Sequence, residues 1–493
     1  MSPSSNLRSR GKPAGAADIS EPAPAAVQSR GTPAAPAPST SPSNDEDPHG
    51  EAEREFGGAK GTLAMMLGFP ALFYWLFVCL YHNDGKFLIP ENTRALYGPG
   101  GWLEFFQYIA RMVIDNASPT KRATALYLIF VGTQLLLAFI MPGVVQKGLP
   151  LGHLGGKVLD YQCNAYTSTY TTFALVAAAH YFHVGGFDMA EIVDLYGPLL
   201  SVASISGFTL AAVTYVFGER YRMSGNLIYD YFMGSTLNPR LGSVDIKMFC
   251  EIRVSWSILF AFAMANVVKQ YETYGYVSGN AILFAYGIWL YLNACVKAEQ
   301  YIPQTWDMNF EKFGWLLSYW NLAGVPFSYA YPALYMAKRD PATYAWSTPV
   351  LAVLFIVITL AQGMMDASMA QKSHFKAVAT GTYIKRSLFP QWPGAELQNP
   401  KTFQTKRGKL LVDGFWAYLR KPNYISDWTQ GLIWGLSAGS GTDSYIPYFY
   451  PVFHGIMLLH RNARDDAKCA RKYGTDWEEY KKLVPYSYIY GLF

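Results

Sequence analysis

Apolar residues gather into long runs from about residue 62 onward, separated by short polar or Gly/Pro-rich breaks. Runs at 62–81, 123–145, 195–217, 313–335 and 348–365 approach or exceed the roughly 20 residues a helix needs to cross a bilayer. Further runs at 166–182, 254–268, 281–296, 428–436 and 446–459 are shorter, and the last two are interrupted by Gly or Pro. The 102–114 segment fits either a span or an interfacial helix. This pattern predicts an all-α polytopic membrane protein with about ten transmembrane helices, the last two paired as a hairpin. An even number places both termini on one side. Strand-like alternation is scarce, and no internal repeat points to a pseudo-symmetric transporter.

Composition agrees. Of 493 residues, 51% are hydrophobic and only 15% charged, against roughly 25% charged in an average soluble domain. The net charge of +5 calls for no nucleic-acid partner, because basic loops flank membrane spans on the cytoplasmic side. The basic loops around 121, 220–253, 372–386 and 401–421 are therefore expected to mark the cytoplasm. Residues 1–57 are rich in Pro, Ala, Ser and Gly. Such a segment buries too little apolar surface to offset its ordering entropy, and it reads as a disordered tail ahead of a membrane domain spanning 58–493. The five cysteines (Cys79, Cys163, Cys250, Cys295, Cys469) show no CxxC or zinc-ligand spacing.

Charge inside such a chain is costly and usually has a task. In the Gly225–Arg240 segment, Asn238-Pro-Arg240 suits a tight turn, and Asp230 has Arg240 or Arg253 as possible partners. Tyr291, Cys295 and Glu299 recur every four residues and share a helical face. Two readings fit that face: Tyr291 and Glu299 flank a substrate inside the bundle, or Lys297 and Glu299 sit at a headgroup boundary. Lys372 and Lys376, also four apart, place two cations together, which favours a phosphate or an anionic lipid headgroup against them.

The last quarter carries two basic, aromatic-rich segments, 409–424 and 460–480. In the first, Trp416, Arg420, Asn423 and Tyr424 offer an aromatic plate, a guanidinium and an amide, groups suited to a nucleotide ring and its phosphates. In the second, Arg461, Asp465, Cys469 and Tyr473 fall on one face of a helix leaving the membrane, where Arg461 and Asp465 can pair. No GxGxxG follows a predicted strand, so a nucleotide pocket here would be built from helix ends.

These segments, with Phe313-Gly314 and Pro447-Tyr-Phe-Tyr450, resemble the sterol reductase family that includes sterol C-14 reductase, lamin B receptor and 7-dehydrocholesterol reductase. The resemblance covers about residues 60–493. Tyr161-Gln-Cys-Asn-Ala165, Trp306-Asp-Met308, Trp320-Asn321 and Leu411–Tyr418 are most similar to its fungal delta-24(24(1)) branch, which reduces the C24(28) bond in ergosterol synthesis. The resemblance implies a ten-helix bundle with a C-terminal NADPH pocket open to the cytosol, in the endoplasmic reticulum membrane, taking its sterol from the bilayer. It implies that Lys372, Lys376, Leu411, Trp416, Asn423, Tyr424, Asp465, Cys469, Tyr473 and Tyr480 line the cofactor. The family usually has Arg where this chain has Lys376, and His where it has Lys421. Tyr291 matches a tyrosine where sterol and nicotinamide meet. Reduction needs a proton besides the hydride, and two donors are open: Asp465 kept protonated by burial, or Tyr291. Arg420-Lys-Pro-Asn-Tyr424 also resembles membrane methyltransferases that bind S-adenosylmethionine. A delta-14 sterol reductase and a non-enzymatic sterol-binding scaffold fit the same resemblance.

Overall fold

The computed structural model describes residues 55–90, 101–439 and 444–492. The expected tail, apart from 55–57, lies outside the described residues. Glu55–Gly57 is a single turn leading into the first long helix.

The long helices are α1 (Gly58–His82), α2 (Trp102–Ala117), α3 (Lys121–Ile140), α4 (Ala165–Tyr181), α5 (Tyr196–Phe217), α6 (Trp256–Tyr274), α7 (Gly279–Lys297), α8 (Thr348–Ala379), α9 (Pro422–Leu436) and α10 (Phe449–Tyr473), with a short α11 (Thr475–Leu483) at the end. Between α7 and α8 runs a broken helix, 315–337, whose middle turn is π-helical at Trp320–Gly324. Among the described residues, six helices are long and apolar enough to cross a membrane: those at 55–82, 121–140, 196–217, 246–274, 279–297 and 348–379. Sheet is confined to short antiparallel pairs, the longest being β1 (Val144–Leu151) with β2 (Lys157–Cys163). That hairpin departs from the predicted run to 145. Pro142 lacks an amide donor and Gly143 follows it, so α3 stops at Ile140.

Two segments read separately in the sequence meet in space. Gly234 has φ +99° and lies so close to Phe313-Gly314 that a Cβ on Gly314 would sit 2.2 Å from the Gly234 nitrogen. The Phe313 amide donates to the Thr236 carbonyl across this crossing (2.8 Å). Asp230 pairs with neither arginine. Its carboxylate accepts the Ser224 and Gly225 amides (2.8 and 3.1 Å) and shapes the turn from within. Arg253, and Lys247 nearby, are buried inside the bundle, so this stretch of the 220–253 segment packs into the protein and is not an open basic loop. Lys247 donates to the Asp307 and Glu311 carbonyls (both 2.7 Å).

The C-terminal elements set up the site. Helix α8 has 32 residues, about 48 Å at 1.5 Å per residue, well beyond a hydrocarbon core of about 30 Å. Its last turns, with Lys372 and Lys376, therefore project past the apolar part. Helices α9 and α10 pack as the expected hairpin through small residues. A Cβ on Gly431 would meet the Tyr450 ring at 2.5 Å, and one on Gly455 would meet Trp428 at 2.9 Å. Glycine at both contacts lets the backbones approach. Helix α10 continues without a break through the basic segment to Tyr473.

Candidate active site

At the projecting end of α8, Lys372 lies over the Trp416 ring, 4.2 Å from its centroid. The plate is fixed from below, because Trp416 Nε1 donates to the Ser368 carbonyl (2.8 Å). Gln371 Oε1 accepts the Phe415 amide (3.1 Å), and Asp413 accepts the Lys401 and Gly414 amides (2.9 and 2.8 Å). These two amide bonds, Lys401 first, hold the Asp413 carboxyl below its ordinary range. The loop carrying Trp416 is thus pinned to α8 on one side and to its own hairpin, Thr402–Thr405 with Gly408–Leu411, on the other.

The α10 face predicted from four-residue spacing points into this corner. Lys372 has Lys421, Lys376, Asp465 and Cys469 within electrostatic reach, and Lys376 has Lys472 and Asp465. Asp465 contacts Lys421 across the corner rather than pairing with Arg461 along the helix. Burial alone would raise the Asp465 carboxyl, but Lys421, then Lys372 and Arg461, hold it below the usual carboxylate range. The structure therefore favours an ionised Asp465, against the reading that burial keeps it protonated. Burial, with Asp465 beside it, pushes the Cys469 thiol up to about 11, so it lines the corner as a neutral group. Tyr473 and Tyr480 pack with Trp477 beside Cys469, and Leu411 is buried at the end of the hairpin. Burial pushes Tyr480 up to about 12, with Arg420 opposing. Arg420 itself holds the C-terminal segment through the Val484 carbonyl and Ser487 Oγ (2.7 and 2.5 Å).

Asn423 and Tyr424 open α9 at the same corner. Tyr424 stacks on Tyr488 at 6.1 Å and takes Lys421 over its ring at 5.5 Å. Asn423 Oδ1 is buried and without a hydrogen-bond partner among the described residues. An apolar groove of about 430 Å³ runs on from Tyr424 between α9 and α10, past Trp428, Leu432 and Val452.

Tyr291 lies deeper, at the inner end of α9. Its ring meets Trp256 at 4.3 Å and Trp434 at 5.4 Å, and its hydroxyl stands beside the Asp427 carboxylate. Trp256 directly follows a π-helical stretch, Phe249–Ser255, a distortion frequent at functional sites. Asp427 is one helical turn on from Asn423, so α9 links the cationic corner to Tyr291. His454 Nε2 and Asp427 Oδ2 are 2.9 Å apart.

Glu299 does not join Tyr291. It starts a 3-10 turn after α7 ends at Lys297. One carboxylate oxygen pairs with Arg253 (3.0 Å) and the other accepts the Ala165 amide (2.7 Å). Both oxygens are used, so the predicted substrate role gives way to a structural ion pair. Lys297 is no headgroup residue either. It is buried against Asp366 (2.6 Å), which Arg386 also grips (2.7 Å).

Asp427 and His454 escaped the sequence reading, although both had a usable signal, being ionisable groups at or within apolar runs. Lys421 entered it only as a departure from the family's usual His, and its pairing was not readable, since the partner is 44 residues away.

The family model described as "Ergosterol biosynthesis ERG4/ERG24 family" matches residues 50–493. The chain belongs to the ERG4/ERG24 family. It is 41% identical to a Delta(24(24(1)))-sterol reductase of Gibberella zeae over 453 residues, 91% of this chain and 74% of that one. It is 39% identical to Delta(24(24(1)))-sterol reductase erg4A of Aspergillus fumigatus over 443 residues, 89% of this chain and 92% of the relative. A Delta(14)-sterol reductase of Dictyostelium discoideum is more distant, at 34% over 449 residues, 89% and 92% of the two chains. The ERG4/ERG24 assignment makes this chain a membrane protein of a sterol reductase family, whose members typically use a nicotinamide cofactor.

Proposed function

We propose that this ERG4/ERG24 protein reduces the C24(28) double bond of an ergosta-tetraenol with NADPH, the last step of ergosterol synthesis, in the endoplasmic reticulum membrane. The observation that carries the reading is the corner where Lys372, Lys376 and Lys421 converge on one aspartate beside the Trp416 plate. Clustered ammonium groups repel one another and are stabilised by a multiply charged anion between them. A phosphorylated dinucleotide supplies that anion, and its rings match Trp416 and Tyr424. The orphaned Asn423 Oδ1 is a ready acceptor for an amide or amino group. Leu411, Cys469, Tyr473 and Tyr480 complete the lining. The bound cofactor would supply a hydride.

The chain's own residues supply the rest. Adding a proton to the outer carbon of the 24(28) bond leaves the positive charge on the more substituted C24, where hydride is accepted. Tyr291 supports the donor role better than Asp465, because Lys421 keeps Asp465 ionised, while the Tyr291 ring is held by Trp256 and Trp434 and its hydroxyl stands beside Asp427. The apolar groove beside Tyr424 and Trp428 is of a size and character to receive a sterol from the bilayer. The identities to two Delta(24(24(1)))-sterol reductases favour the side-chain bond over the 14 bond.

The test is a titration of detergent-purified protein with NADPH and with S-adenosylmethionine, followed by turnover on a 24(28)-unsaturated sterol. Saturable NADPH binding and a product two mass units heavier are expected. S-adenosylmethionine binding with no reduction would overturn the reading.

A further inference from the structure

The deepest polar group near Tyr291 is not explained by the cofactor corner. Asp427 and His454 lie on facing helices, α9 and α10, with Nε2 and Oδ2 2.9 Å apart. A helix staple would account for that contact alone. Two observations go beyond a staple. Asp427 Oδ1 is buried with no hydrogen-bond partner among the described residues. Four other ionisable side chains converge on the same carboxylate: Tyr291 and Cys295 from α7, Tyr329 from the broken helix and Tyr450 from α10. They are packed tightly, with Tyr329 and Tyr450 ring centroids 4.0 Å apart and Tyr450 stacked on His454 at 5.0 Å. A carboxylate with one oxygen on an imidazole, the other unpaired, and a tyrosine hydroxyl beside it has the parts needed to pass a proton between imidazole and hydroxyl.

Resting on the reductase reading above, we propose that Asp427 and His454 are positioning residues that resupply the proton Tyr291 donates. The Tyr291 O–H bond breaks as the new C–H bond forms on the alkene. Hydride from the nicotinamide cofactor brings the electron pair that closes the adjacent carbon, so the alkene is reduced and the cofactor oxidised. The phenolate at Tyr291 takes the single proton shared by the pair, delivered from Asp427 Oδ1. Asp427 is left as a carboxylate accepting from neutral His454, and the pair regains its proton from solvent between turnovers. Neither residue lines the apolar groove offered to the sterol, so both act through Tyr291.

The experiment compares full-length wild type, Asp427→Asn, His454→Gln, Tyr291→Phe and the Tyr291→Phe/Asp427→Asn double variant, with NADPH and a 24(28)-unsaturated sterol. Loss of one general acid–base step costs about 10²–10⁴-fold. Asp427→Asn and His454→Gln should therefore lower kcat about 100-fold, with sterol KM and NADPH Kd changed less than about threefold. The double variant should be no slower than Tyr291→Phe alone, because residues acting in one chain are not additive. Should Asp427→Asn fail to fold, His454→Gln, which keeps an amide against Oδ2, carries the test alone. Near-normal kcat in the folded variants, a loss confined to KM, or multiplying losses in the double variant would overturn the relay while leaving the reductase reading intact. A wild type that reduces no sterol would overturn both, and is told apart by needing no variant.

Discussion

Replacing Glu299 by Gln separates a substrate-facing carboxylate from a structural one. In the structure, Glu299 and Arg253 side chains are each 3% exposed and 3.0 Å apart. Gln keeps the size of the side chain and an oxygen for the Ala165 amide, but leaves the buried guanidinium without its counter-charge. Breaking a buried pair from one side costs about 3–5 kcal/mol. Arg253 retains Asn164 and, at 2.9 Å, Ser168 as neutral acceptors, which argues for the lower end. Unfolding entropy of about 2.1 cal/mol/K per residue over the folded part of the chain converts 3 kcal/mol into a fall of about 3 °C in apparent Tm. Thermal unfolding in detergent, read by tryptophan emission, measures it. Sterol KM should hold at the wild-type value in protein kept below its transition. The Arg253→Met/Glu299→Leu double variant should recover much of the loss, since no unpaired charge remains. Unchanged Tm together with a raised sterol KM would refute the structural assignment and return Glu299 to the substrate.

Three further outcomes follow from the same geometry. Lys372→Ala with Lys376→Ala should weaken NADPH binding by at least tenfold and flatten its salt dependence, measured by cofactor fluorescence, because the phosphates lose two point charges. Because Lys421 depresses Asp465, that carboxylate stays ionised below the pH at which an ordinary aspartate takes up its proton. The stability it contributes is present above the ordinary carboxylate range and lost as pH falls through its lowered value. Asp465→Asn should thus lower Tm at pH 6 and, through Lys421, by a smaller amount at pH 8, where Lys372, held down to about 7 by burial and Lys421, has lost its charge, and a deficit that appears only at alkaline pH would contradict the pairing. Gly314→Ala should destabilise the fold by more than about 2 kcal/mol, since its Cβ would meet the Gly234 backbone at 2.2 Å and neither chain can yield. Expression followed by size-exclusion profile checks this.

The long apolar runs carried most of the helices, and four-residue spacing carried the Asp465, Cys469 and Tyr473 face, because both are local periodicities. Partners across the chain were not legible. Spacing placed Glu299 on the Tyr291 face but could not show that α7 ends at Lys297 or that Arg253 waits opposite. Likewise it offered Asp465 the neighbour four residues away, whereas the closer cation is Lys421, which immediately precedes α9. The β1–β2 hairpin was readable in part, through Pro142-Gly143, but apolar Val144 and Val145 disguised the strand start as helix. Asp427 and His454 were visible as ionisable residues at or within apolar runs, and only the packing of α9 on α10 joined them.

The central claim, that this ERG4/ERG24 protein saturates the C24(28) bond, is tested most directly by the sterol profile of cells lacking it. Gas chromatography with mass spectrometry should find a 24(28)-unsaturated sterol accumulating in place of ergosterol, reversed by the intact gene. Accumulation of a 14-unsaturated sterol, or an unchanged profile, would contradict it.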